Sequence, residues 1–207
     1  MISGGSPVAR HVRAVLWLLG AGIASIVAVG AARAVSADWG IKRLMHDLAQ
    51  VKSAKARYVE RKYLGILNTP LESSGTLIYI APSRLEKRTL APRRESLVLE
   101  GSELTIEGGE GNRRRTLNLR DYPLIRAFVE SIRSTLAGDL PTLTHFYQIE
   151  LDGGERQWRL TLKPSEPEMQ EVVSEIRISG EFASINAVET IETNGDRSVM
   201  TVMSEGP

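Results

Sequence analysis

Hydrophobic and polar residues alternate with a short period along most of the chain, and turn residues recur near every tenth position. This rhythm predicts a meandering antiparallel sheet. The Asn194-Gly195-Asp196 segment between two β-rich runs is a particularly strong hairpin signal. The predicted strands are Lys55–Leu64, Gly75–Ile80, Arg84–Leu90, Ser96–Glu100, Glu103–Glu107, Asn112–Leu119, His145–Leu151, Arg156–Leu162, Val172–Ser179, Ala183–Thr193 and Arg197–Ser204.

Two segments have helical spacing instead of alternation. The first begins after Asp38, a possible cap, and the second lies between Asp121 and Gly138, which inserts it into the sheet. In each segment the apolar residues form one stripe. The stripe residues are Ile41, Leu44, Met45, Leu48 and Val51 in the first helix, and Leu124, Ile125, Phe128, Val129, Ile132 and Leu136 in the second.

The predicted fold class is therefore mostly β with two helices. A sheet of about eleven strands must curl, close or split in order to bury one face. If it curls, the two apolar helix stripes form a lid, and an incompletely filled interior leaves an apolar cavity suited to lipid-like ligands. The alternative is an ordinary packed β-sandwich with helices outside. The residue pattern leaves both open.

Composition excludes several classes of function. The 207 residues include 26 Lys+Arg and 25 Asp+Glu, so the formal charge of +1 gives no support for nucleic-acid binding. The absence of cysteine removes disulfides, thiolate metal sites and thiol catalysis. The three histidines, His11, His46 and His145, are scattered, and no Gly-x-Ser-x-Gly motif occurs. We therefore predict neither an enzyme, nor a metal site, nor a cofactor.

Residues 1–37 have the parts of a secretory signal peptide. Arg10 and Arg13 precede the uncharged run Ala14–Ala32, and Val35-Ser36-Ala37 forms a small-residue cleavage site. The apolar run is also long enough to span a bilayer, so an uncleaved anchor is the alternative. Either reading places residues 38–207 outside the cytoplasm as one domain.

Several weak motifs occur in a recognisable order. They are SAKARYVERK at Ser53–Lys62, ESSGTLIYIAPSRLEKRTL at Glu72–Leu90, ESLVLEGSELTI at Glu95–Ile106, and Gly-Asp-Arg-Ser at Gly195–Ser198. Together with the inserted helix, this string resembles the LolA-like family of periplasmic lipoprotein carriers from about Ile41 to Ser204. One departure concerns the second hairpin. The family has an arginine before its proline that holds the lid closed, whereas Ala81 precedes Pro82 here.

The resemblance implies an unclosed antiparallel barrel of about eleven strands with a helical lid. It implies a periplasmic, monomeric carrier without enzymatic activity. Such a carrier takes acyl chains of lipoproteins from inner-membrane release machinery to an outer-membrane acceptor. Relatives that accompany fatty-acid-like or polyene products make another lipid-like cargo an alternative. A non-catalytic, membrane-anchored scaffold module is a further alternative.

Candidate site residues follow from the phase of each strand and helix. Predicted cavity residues are Ala56, Tyr58, Leu77, Tyr79, Leu85, Leu97, Leu99, Leu104, Ile106, Leu117 and Leu119, and predicted lid residues are Leu44, Leu48, Phe128 and Ile132. Each of these residues has plain core packing as its alternative. The basic run Arg113, Arg114 and Arg115 is a candidate contact for a partner or an anionic head group, and a solvated edge strand is the other interpretation.

Overall fold

Eleven antiparallel strands form one sheet in the computed structural model, which describes residues 39–108 and 113–205. The spatial order is β6-β5-β4-β3-β2-β1-β11-β10-β9-β8-β7, so the sheet is open, with β6 and β7 at its edges. The predicted class and strand number are confirmed, and a two-sheet sandwich is wrong. The strands are β1 Ser53–Tyr63, β2 Leu71–Ile80, β3 Arg84–Ala91, β4 Glu95–Glu100, β5 Glu103–Gly108, β6 Arg113–Asn118, β7 Tyr147–Gly154, β8 Gln157–Pro164, β9 Val173–Glu181, β10 Ser184–Glu192 and β11 Arg197–Ser204.

The described residues contain four α-helices where the sequence predicted two. They are α1 Ile41–Gln50, α2 Pro123–Ala137, α3 Leu140–Phe146 and α4 Pro167–Gln170, and a short 3-10 turn covers Leu119–Asp121. The predicted strand start at His145 is wrong, because His145 lies in α3. The Asp139 side chain caps that helix by accepting a hydrogen bond from the Thr142 amide. Both α3 and α4 are too short for a helical period to be visible.

The ends of the two predicted helices are only partly as expected. Gly138 ends α2 in a left-handed conformation, with φ 66°. A Cβ at Gly138 would lie 2.1 Å from the Met45 carbonyl oxygen, so only glycine allows α1 to pack against this end of α2. Asp121 does not cap α2, which begins at Pro123 after Tyr122. The predicted strand end at Leu151 is also displaced, because β7 continues to Gly154.

The amino-terminal predictions fall on residues that the structure does not describe. Asp38, the leader and its cleavage site lie outside the described residues, and α1 has Gly40 at its N-cap. Within residues 39–108 and 113–205, no helix has the length and apolar character needed to cross a bilayer.

The packed hydrophobic core occupies one half of the curled sheet. It joins Leu44 and Leu48 of α1 to the inner faces of β7, β8 and β9, where Trp158, Leu160 and Ile178 are almost completely buried. The Trp158 indole donates a hydrogen bond to the Phe182 carbonyl, at 2.9 Å. The core helices and the bulky Trp158 therefore fill the β7–β9 half of the interior.

Candidate functional site

The other half of the interior is a cavity of about 670 Å³. Its walls come from β1 to β5, β9, β10 and β11, and α1 and α2 also contribute side chains. Strand register explains the wall, because Tyr79, Leu85, Leu99 and Leu104 stand opposite one another on four successive strands. Residues opposite one another on antiparallel strands share a face, so this row forms a continuous apolar strip.

Most of the predicted cavity and lid residues lie on this wall. They are Ala56, Leu77, Tyr79, Leu85, Leu97, Leu99 and Leu104 from the strands, and Leu48, Phe128 and Ile132 from the helices. The structure thus brings these positions together around one volume. Their binding of a cargo stays a prediction.

Five predicted residues do not line the cavity. Tyr58 is 1% exposed, and its hydroxyl is 2.7 Å from the Thr89 hydroxyl, so this side chain is held against the sheet. Ile106 and Leu117 continue the inner face towards edge strand β6, beyond the cavity. Leu119 is buried in the 3-10 turn, and Leu44 belongs to the packed core.

Helix α2 presents its apolar side chains to the cavity and buries its small polar ones. Phe128, Ile132 and Leu136 line the cavity, and Phe128 is 40% exposed. Ser131 and Thr135 are fully buried, and their hydroxyls donate to carbonyls of the same helix. Local hydrogen bonds of this kind satisfy buried hydroxyl groups. The large apolar side chains of α2 are consequently left incompletely covered.

A buried ion pair interrupts the apolar wall and was missed by the sequence analysis. Lys87 Nζ lies 2.6 Å from Glu60 Oε2, and the Ser198 hydroxyl donates to Glu60 Oε1 at 2.7 Å. Burial alone would raise the pKa of Glu60, but the Lys87 ammonium and the two hydrogen bonds hold that pKa below its ordinary value of 4.5. The alternation of the strands contained a signal for both residues, because Glu60 has the same phase as Ala56 and Lys87 has the same phase as Leu85.

An arginine bridges α2 to the rim of the sheet. The Arg133 guanidinium donates to the Gly101 carbonyl in the β4–β5 turn and also pairs with Glu130. Glu130 is 3% exposed and accepts a further hydrogen bond from the Ser134 hydroxyl, at 3.0 Å. Ala81 has no side chain that could hold the predicted lid from the sheet. Here the arginine bridge starts from the helix.

The basic run on β6 lies apart from the cavity. Arg113, Arg114 and Arg115 are exposed on the edge strand, and none of them lines the cavity. Their contact with a partner or head group stays a prediction. His46 and His145 are also exposed.

Comparison with known structures finds similar chains at low sequence identity. A LolA superfamily protein from Nitrosomonas europaea shares 8% identity over 79% of this chain and 93% of its own, with a TM-score of 0.42. The Pseudomonas aeruginosa MucA/MucB complex gives 12% identity and a TM-score of 0.44, over 78% of this chain and 55% of that one. LprF from Mycobacterium bovis gives 9% identity and a TM-score of 0.35, over 81% and 93%. No curated protein matches the sequence significantly.

A family model provides the assignment. The model described as "Outer membrane lipoprotein carrier protein LolA-like" matches residues 29–205, which is most of the chain and includes every element described above. The predicted resemblance is thereby confirmed, and this protein belongs to the LolA-like family.

Proposed function

We propose that this protein is a periplasmic, non-catalytic carrier that binds the acyl chains of lipoproteins or of another lipid-like cargo in its cavity. In this proposal it carries them from the inner membrane towards the outer membrane. The observation that carries the proposal is the incomplete burial of the apolar face of α2 over a cavity of about 670 Å³. That volume is within the ~300–1,000 Å³ of ligand pockets.

The dimensions of the cavity suit a hydrocarbon chain. Its lining residues extend along β1 from Ala54 to Lys62, which corresponds to about 27 Å of strand. One leaflet of a bilayer has a hydrocarbon depth of about 15 Å, half of the ~30 Å core. A single acyl chain therefore fits along the wall without folding back.

Energetics favour reversible binding. Removing a methylene from water is worth ~0.8 kcal/mol, so a sixteen-carbon chain would gain on the order of 13 kcal/mol from water. A chain that leaves a membrane is already dry, and it gains little on entering the cavity. We therefore expect a partner to drive loading and a better acceptor to drive release.

The experiment compares a double variant on the cavity side of α2 with a control variant on the same helix. Phe128→Asp with Ile132→Asp places two carboxylates against the cavity, and we expect native mass spectrometry of the full chain to show loss of co-purified lipid. Leu124→Asp is the matched control, because Leu124 is 38% exposed on the same helix but does not line the cavity. Equal lipid retention by the double variant and the control would contradict the proposal.

A further inference from the structure

One end of the cavity carries a lysine whose hydrogen-bonding capacity is only partly used. Lys87 lines the cavity, donates to Glu60 at 2.6 Å, and lies 4.9 Å from the centre of the Tyr58 ring. A lysine ammonium has three N–H donors. In the part of the chain that the structure describes, Glu60 is its one hydrogen-bond acceptor. Beyond this acceptor and the Tyr58 ring, the ammonium keeps donor capacity for a group inside the cavity.

The carboxylate partner is already fully engaged. Glu60 is 7% exposed, and its two oxygens accept from Lys87 and Ser198. Lys62 Nζ lies 4.0 Å from the same carboxylate, so two ammonium groups surround one acid. This cluster therefore has one positive charge in excess.

Other charged side chains line the cavity besides this cluster. Arg197 is compensated, because it lies 3.5 Å from Glu189 and stacks on the Tyr63 ring. Glu192 also lines this end, on β10. Its carboxylate disfavours an anion beside β10, whereas Glu86, the carboxylate that lines the cavity from β3, is paired with Arg84 and Arg88.

The surroundings of Lys87 are apolar along the sheet. Register places Lys87 between Leu77 on β2 and Leu97 on β4, and both leucines line the cavity. A ligand with its hydrocarbon chain against these leucines would have its polar end within reach of the ammonium. Hydrogen bonds from an ionised donor to an ionised acceptor are stronger than neutral ones, especially away from water.

We infer that Lys87 binds the acidic head group of an amphiphile whose hydrocarbon chain occupies the cavity. The shared chemistry is an anionic oxygen, from either a carboxylate or a phosphate ester. This inference rests on the proposed function and narrows its cargo to acyl compounds with an acidic head. Lys87 becomes a specificity residue that distinguishes such compounds from neutral lipids of equal length.

The test measures displacement of a neutral fluorescent dye, N-phenylnaphthylamine, from the full-length protein. The competitors are hexadecanoate, hexadecyl phosphate and methyl hexadecanoate, which share one chain and differ in the head group. We expect both acids to bind about tenfold more tightly than the ester, as for one charged hydrogen bond. The relative affinities of hexadecanoate and hexadecyl phosphate show whether the site prefers a carboxylate or a phosphate head group.

Variants assign the preference to Lys87. Lys87→Met is expected to abolish the tighter binding of the acids relative to the ester. Glu60→Gln is expected to increase that difference in affinity, because the ammonium then lacks its internal counterion. Lys87→Met combined with Glu60→Gln leaves no buried unpaired charge. If the single variant Lys87→Met does not fold, this double variant tests whether the preference for the acids is lost. Lys55→Met is the matched control, because Lys55 also lines the cavity but pairs with Glu205 at 2.9 Å.

The outcomes separate this inference from the proposed function. If the ester binds the parent as tightly as the acids, or if the double variant keeps the preference for the acids, the inference is wrong and the acyl cavity stands. If neither the dye nor any competitor binds, the proposed function fails, and this inference fails with it.

Discussion

Replacing Arg133 with methionine tests how α2, the predicted lid helix, is held to the sheet. The guanidinium bridges the Gly101 carbonyl and Glu130, and Arg133 Nε lies 3.0 Å from Glu130 Oε2. Without it, the Glu130 carboxylate remains 3% exposed with Ser134 as its one hydrogen-bond donor among the described residues. Breaking a buried pair by removing one partner costs about 3–5 kcal/mol. We expect Arg133→Met to lower the free energy of unfolding by that amount.

A second variant separates the two consequences of the change. Arg133→Met combined with Glu130→Gln removes the whole ion pair, a change that is often close to neutral, so the main loss is the bond to the Gly101 carbonyl, at about 1 kcal/mol. Urea unfolding measures both free energies, and hydrogen exchange of the α2 amides reports lid opening. We expect faster α2 exchange in both variants, with the double variant clearly more stable than the single one. Equal stability of the two variants, or unchanged α2 exchange, would refute this reasoning.

Two further predictions concern packing and pH. Leu160→Ala in the packed half should lower the free energy of unfolding by about 2–5 kcal/mol. Leu85→Ala beside the cavity should lower it by about 1 kcal/mol or less, because no new void is enclosed. Urea unfolding measures both values, and equal losses would contradict the division of the interior into a packed half and a cavity. Because the pKa of Glu60 is lowered in the folded state, its contribution to stability is complete above pH 4.5 and is lost as pH falls through the lower, folded value. Glu60→Gln with Lys87→Met should flatten the stability profile below about pH 4.5 in urea titrations, and an unchanged profile would argue against the pair.

Period-two alternation predicted the antiparallel strands and seven residues of the cavity wall. Leu77, Tyr79, Leu97 and Leu99 were located from phase alone, because antiparallel register keeps one face of every strand on the same side of the sheet. The prediction considered only apolar residues as wall, and it therefore missed Lys87. Counting polar residues in the same phase would have found it.

The division of the interior into a packed half and a cavity could not be predicted from the sequence. It depends on which strands the helices cover, and on α3, whose seven residues give no periodic signal. Tyr58 and Leu44 have the phase of cavity residues but lie where the Lys87 side chain and the core, respectively, cover them. Phase determines the face of a residue, and only tertiary packing determines whether that face is covered.

Methyl NMR during titration with hexadecanoate tests most directly whether the β1–β5 half of the interior receives a hydrocarbon chain. We expect large chemical-shift changes at Leu77, Leu97 and Leu104, which line the cavity. Leu160 and Leu162, fully buried in the packed half, should change little. Shifts confined to the packed half, or no saturable shifts at all, would contradict the account.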